Sequence, residues 1–276
     1  TQKSGDVFIH AGRMVEGVID QGDELSAVVD SDRREAIRRA HSATHVLHHA
    51  LRQTLGDHAQ QRGSKVADDW LRFDFSNQTA VADEHLSKIE AIAVDKVQSA
   101  DDIEANILPL KKARQQGAMM LFGEKYPDPV RMISIGDYSK ELCGGTHLKN
   151  SREVEAFELI SEESVSAGTR RIEALTGAKA REFQESVLRT AETLASKLDV
   201  TVDRLPEAAS ELADEIKDLK KQLASGKRKE NKKKPKPTQQ YADAQFEYRE
   251  VRRKIRETCA VLNEPMERLS LIHISE

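Results

Sequence analysis

The chain has 276 residues, with 43 Lys and Arg against 47 Asp and Glu; the formal net charge of −4 excludes a uniformly basic nucleic-acid binder but leaves room for local basic faces. Charged residues make up 33% and aromatic residues 4%, so a large share of the chain is expected as exposed helix or linker around a modest core. Two widely separated cysteines, Cys143 and Cys259, argue against a disulfide framework and for a reducing, cytoplasmic compartment, and no apolar run approaches the roughly 20 residues of a membrane span.

In chain order, short apolar runs at Val7-Phe8-Ile9, Val15, Val18-Ile19 and Val28-Val29, separated by Gly12, Gly17 and Gly22, predict small β-strands with tight turns over residues 1–32, the end of a small β-barrel-like segment. Asp30-Ser31-Asp32 offers helix caps, and Ile37, Ala40, Thr44, Leu47 and Leu51 repeat at helical spacing up to a stop at Gly56. Period-two alternation predicts a strand through Leu71 to Phe75. A helix is expected from Asp83 to Ser99, a strand from Ile103 to Leu108, a short helix from Leu110 to Gln116, and strands at Val130–Ile135, Val154–Leu159 and Ala167–Thr176. Helices and strands without a regular βαβ repeat make residues 33–177 an α+β unit with an antiparallel-type sheet.

From Ala178 β-type residues vanish. Leu205, Ala209, Leu212, Ile216, Leu219 and Leu223 form a heptad seam, so residues 178–226 read as a helical, coiled-coil region that pairs within the chain or with a second copy. Residues 227–240 are Lys- and Pro-rich and read as a basic disordered linker; 241–276 reads as a partial helical segment, with Cys259 in its core. The final Leu271 to Glu276 resembles translated sequencing adapter and is given no role; together with the missing initial methionine it suggests a fragment.

Two short motifs carry chemistry. His41 and His45, four apart on one helix face, can offer two imidazoles to one ion, and Cys143 and His147 in Cys-Gly-Gly-Thr-His add a thiolate and a third imidazole. The set suits tetrahedral zinc. His48, seven residues after His41, is a rival third ligand. A zincin is excluded, because Ser42 stands where H-E-x-x-H needs glutamate. Gly144 and Gly145 would let backbone N–H groups approach a small substrate. No carboxylate is expected to lie beside either motif, so an activated water is favoured as nucleophile; whether zinc is catalytic or structural stays open.

The segments HSATHVLHHALR, GDHAQQRGS, RFDFS, GAMMLFGEKY, ELCGGTH and AGTRRIEALTG, in this order, resemble the editing domain of the alanyl-tRNA synthetase family over roughly residues 1–223. The threonyl counterpart has a similar module, but its second motif resembles C-R-G-P-H. The resemblance implies hydrolysis of serine or glycine wrongly esterified to tRNA for alanine, one zinc ion on His41, His45, Cys143 and His147, and Gln61 and Thr44 as the catalytic-site residues, Thr44 facing a serine hydroxyl. It implies substrate contacts from Gly144, Gly145 and Thr146, and places Lys65, Arg72, Arg170 and Arg171 as candidates for the tRNA acceptor end. ATP would belong only to an aminoacylation core, whose motifs this chain lacks, and the 205–223 helix resembles an oligomerisation region. Arg152 and Glu155 replace glycines of the family pattern, and Met120 and Pro127 replace small residues.

Overall fold

The computed structural model describes residues 2–5, 7–120, 125–225, 252–254 and 258. The expected linker at 227–240, most of the 241–276 segment, Cys259 and the Leu121 to Glu124 part of GAMMLFGEKY lie outside them. The protein is α+β with antiparallel sheets. At the start, β1 (Gln2–Ser4) pairs with β2 (Val7–Ile9). The strands expected at Val15, Val18-Ile19 and Val28-Val29 do not form, and Val15, Val18 and Val28 are exposed. Runs of one or two apolar residues have no partner strand here against which to bury.

Helix α1 (Ser31–Leu55) is the element on which the rest is built. The Asp30 carboxylate caps it by accepting the Arg33 N–H at 3.0 Å, and Gly56 ends it at φ 106°, a conformation that favours glycine. Ala36, Ala40, Ala43 and Ala50 are buried along it, and such small side chains let neighbouring backbones come close. It packs on α2 (Asp83–Gln98) and on the hairpin of β3 (Gln61–Ala67) and β4 (Trp70–Ser76). The core they share contains Leu47, Leu51, Phe73, Phe75, Ile89 and Ile172.

A four-stranded sheet runs in the order β3-β4-β9-β8, with β8 at Phe157–Ser166 and β9 at Thr169–Thr176. The strand expected from Val154 instead begins at Phe157. Residues Ser151–Val154 form a 3₁₀ turn capped by the Asn150 side chain, which accepts the Arg152 N–H at 3.0 Å. Glu155, where the resemblance leads to an expectation of glycine, then adopts φ 68°; its carboxylate meets Arg181 and, at 3.7 Å, Arg39. A residue with a Cβ is disfavoured there, and the ion pairs hold it in place.

The second sheet, ordered β5-β6-β7, joins β5 (Ile103–Leu108), β6 (Val130–Ile135) and β7 (Ser139–Leu142), with α3 (Leu110–Gln115) between the first two. β7 escapes sequence reading because four residues with charges at two of them show no apolar alternation. Its pleat turns Ser139 and Glu141 inward.

After β9, α4 (Gly177–Leu198) and α5 (Leu205–Ser225) follow. Gly177 is required by close approach, because a Cβ there would sit 2.5 Å from Arg39 Nε and 2.8 Å from Asp69 Oδ1. The start of the heptad seam packs on α4, where Leu205 joins Val187, Ala191 and Ala195. Its continuation does not: Leu212, Ile216 and Leu219 are exposed. Among the described residues, no helix is long and apolar enough to cross a membrane.

Candidate metal centre

α1 brings His41, His45 and His48 to one face, and the loop after β7 carries Cys143 and His147 across to meet them. One ligand atom each from His41, His45, Cys143 and His147 lies within 4.8 Å of all the others. Cys143 Sγ is 3.4 Å from both His41 Nε2 and His147 Nε2. Zinc–sulfur and zinc–nitrogen bonds of ordinary length, set at a tetrahedral angle, put S and N about 3.5 Å apart. His45 Nε2 is buried and has no hydrogen-bond partner. A buried nitrogen left without a proton partner beside a thiol and two further imidazoles fits a metal ligand. His48, the rival, stands outside this set.

The carboxylate that sequence reading missed is Glu141. It is buried at 7% exposure and lies 3.0 Å from His45 Nδ1 and 3.0 Å from His48 Nδ1. An ionised carboxylate only accepts, so both imidazoles carry a proton on Nδ1, and in the neutral form each keeps a lone pair on its buried Nε2. The signal was present two residues before Cys143; what hid it was that β7 itself was not recognised.

Electrostatics favour a thiolate at Cys143; burial would lower His45, but Glu141 and Cys143 outweigh it and raise it to about 10, so an ion bound there displaces a proton. Burial alone would raise the Cys143 thiol, but hydrogen bonding to His147 and His41, with the charge of nearby His45, brings it down to about 3. Burial likewise opposes ionisation of Glu141, and His45 and His48 outweigh it, holding the carboxyl well below its usual range. Burial lowers His147 to about 4, keeping its imidazole neutral.

The loop is held from outside. Arg131 donates to the carbonyls of Cys143 at 2.8 Å and Gly145 at 2.7 Å, and Ser42 Oγ accepts the Leu148 N–H at 3.1 Å while lying 3.4 Å from His147 Nδ1. Gly145 has a second reason to be glycine: a Cβ there would fall 1.9 Å from His41 Cε1. Its N–H points at Cys143 Sγ, 3.5 Å away, so of the two glycines Gly144 keeps its N–H available.

A cavity of about 590 Å³ opens beside the cluster. His41, His45, Cys143 and Gly144 line it together with Thr44 and Gln61, and so do the altered positions Met120 and Pro127. The Thr44 hydroxyl donates to the Ala40 carbonyl at 2.9 Å, and Gln61 Nε2 donates to Ser64 Oγ at 3.0 Å. Thr44 therefore offers the cavity lone pairs, and Gln61 its carbonyl oxygen and second N–H. Thr146 and the four proposed cations do not line it. Lys65 and Arg72 face each other across β3 and β4. Arg170 makes a two-point pair with Glu162 at 2.6 and 2.7 Å, and Arg171 one with Asp74 at 2.7 and 2.9 Å.

Residues 130–173, which include β6, the Cys-Gly-Gly-Thr-His loop and the start of β9, match the second additional domain of threonyl and alanyl tRNA synthetases. Over 227 residues, 82% of the chain, it is 50% identical to the Alanine--tRNA ligase of Rhodopirellula baltica, covering 24% of that protein. The chain matches a segment of alanyl-tRNA synthetase. Similar proteins include the Alanine--tRNA ligases of Rhodopseudomonas palustris, 44% identical over 83% of this chain and 27% of the relative, and of Halorhodospira halophila, 46% identical over 82% and 27%. The chain thus spans about a quarter of the length of these alanyl-tRNA synthetases.

Proposed function

We propose that the cavity hydrolyses the ester joining a wrongly attached serine or glycine to the 3′ adenosine of tRNA for alanine. The need is physical: a pocket shaped for alanine cannot strongly reject a residue lacking a methyl or carrying one extra hydroxyl, so a second site must remove it. The observation that carries the reading is one cavity lined by His41, His45 and Cys143 together with Thr44 and Gln61, with His147 completing the cluster behind them. Its volume suits a small aminoacyl group and part of the nucleoside it is attached to.

Zinc held by His41, His45, Cys143 and His147 would supply Lewis-acid polarisation and a lowered pKa for water. The chain's own groups do the rest. Glu141 fixes the tautomer of His45 and, through His48, a second imidazole beside the cavity. Thr44, its proton committed to Ala40, accepts from the hydroxyl of a seryl group; Gln61 orients the ester, and the Gly144 N–H meets developing negative charge on its oxygen. Water is the nucleophile.

Incubation of the protein with seryl-, glycyl- and alanyl-tRNA of the alanine system, with and without chelator, tests this. Rapid loss of the seryl and glycyl esters and slow loss of the alanyl ester are expected, with the chelator abolishing the difference. Seryl-tRNA decaying no faster than a protein-free blank sinks the reading. The exposed Leu212, Ile216 and Leu219 support the further reading that the 205–223 seam meets a second copy of the chain, which sedimentation of a Leu212→Lys, Ile216→Lys variant checks.

A further inference from the structure

We propose that Arg52 is the phosphate anchor of this cavity, gripping the phosphodiester one ribose away from the ester; the inference rests on the hydrolytic reading above. Arg52 continues the α1 stripe of His41, His45 and His48, at spacings that keep all four on one helix face. It stands seven residues beyond His45, about 10 Å along the axis at roughly 1.5 Å per residue. A 3′-aminoacyl nucleotide with its ester at the metal cluster carries its nearest phosphate on the far side of the sugar, in the direction of Arg52.

Lys65 and Arg72 do not line the cavity, and the remaining competitors are committed. Arg131, the other guanidinium among the described residues that line the cavity, is spent on the carbonyls of Cys143 and Gly145. Arg170 and Arg171 are saturated by two-point carboxylate pairs on the sheet. Arg52 differs in the quality of its partners. Its Nη1 lies against the Met119 thioether, a weak acceptor, and its Nη2 meets Asp57, whose side chain is 89% exposed. Its Nε is buried without a hydrogen-bond partner among the described residues. An exposed carboxylate holds a guanidinium weakly, so an incoming phosphate, which matches the planar fork of arginine, displaces it at little cost. The bland role for Arg52, a cation complementing the last turn of α1, predicts an effect on stability and none on a ligand.

Two probes separate these roles: a short single-stranded RNA ending in CCA, followed by fluorescence anisotropy across a salt series, and a pair of esters, seryl-tRNA and the phosphate-free seryl ester of adenosine. Arg52→Gln is expected to weaken RNA binding about tenfold and to reduce the salt slope by about one. Arg52→Lys should recover part of both. Asp57→Asn, at an exposed position outside the fold's core, should tighten binding by releasing the guanidinium. On the esters, Arg52→Gln should raise KM for seryl-tRNA with kcat little changed, leave hydrolysis of the adenosine ester at the wild-type rate, and leave bound zinc unchanged. Unaltered RNA affinity and slope in Arg52→Gln, or equal losses on both esters, overturn the assignment. If the wild-type protein hydrolyses neither ester, the hydrolytic reading fails by itself, and the RNA titration of Arg52→Gln and Asp57→Asn still decides whether Arg52 binds phosphate.

Discussion

Two charged clusters in this protein use the same chemistry to opposite ends. On the four-stranded sheet, Arg170 with Glu162 and Arg171 with Asp74 close on themselves, each guanidinium fork meeting both oxygens of one carboxylate. Around Glu141, one buried carboxylate is shared by His45 and His48, and each imidazole is left with a nitrogen that no protein group satisfies. A guanidinium whose charge is neutralised by a two-point carboxylate pair has little attraction left for an anion and serves the sheet; a buried polar group left without a partner costs stability unless something completes it. The difference locates the site better than counting charges does.

The comparison breaks most sharply at Gly145. Replacing it by alanine drives a methyl into the His41 ring, so Gly145→Ala should lose most of its zinc and reduce deacylation to near the blank. Gly144→Ala, with nothing within 4 Å of its new Cβ, should keep its zinc; metal analysis of the two purified variants reads the contrast. Next in size, Glu141→Gln replaces one of the two accepting oxygens with an NH2 group, so one of the two imidazoles loses the partner that orients it. Zinc affinity should fall about 10- to 100-fold, measured by competition with a chromophoric chelator. Arg170→Gln strikes the other cluster: thermal melting should occur a few degrees lower while zinc content and KM for seryl-tRNA hold. A raised KM in that variant would return Arg170 to the acceptor-end role expected from the sequence.

The smallest effect lies just outside both clusters. His49, half-buried beside Tyr138, has its pKa lowered from 6.5 chiefly by burial and then by Lys96. Below pH 6.5 the unfolded chain takes up a proton that the folded one refuses, so stability falls with falling pH until the lowered folded pKa is reached. His49→Gln should flatten that part of a chemical-denaturation profile, and an unchanged slope between pH 6.5 and 5 removes His49 as the source.

Much of the fold was legible where periodicity and stop signals agree. α1 runs from its Asp30 cap to Gly56, and α2, α3, β4, β5, β6 and β9 lie close to where spacing places them. The lead-in strands and the start of β8 were misread for a common reason: a short apolar run does not say whether a partner strand will be beside it. Within the site, the four residues whose ligand atoms come together were legible from residue type and spacing. Glu141 was not, because a carboxylate on a four-residue strand looks like any surface charge until the sheet turns it inward.

What the sequence by itself determined is therefore the local part: helix lengths, the alternation of the longer strands, and the candidate set His41, His45, Cys143 and His147 together with its likeness to alanyl-tRNA synthetase. Only the tertiary structure decided which charges are spent and which are available. It separated His48 from the ligands and gave it to Glu141, closed Arg170 and Arg171 into sheet pairs, and left Arg52 at the cavity with an exposed partner. Those distinctions depend on distances between residues up to about a hundred positions apart and on burial, which sets what each charge costs and what it can still bind.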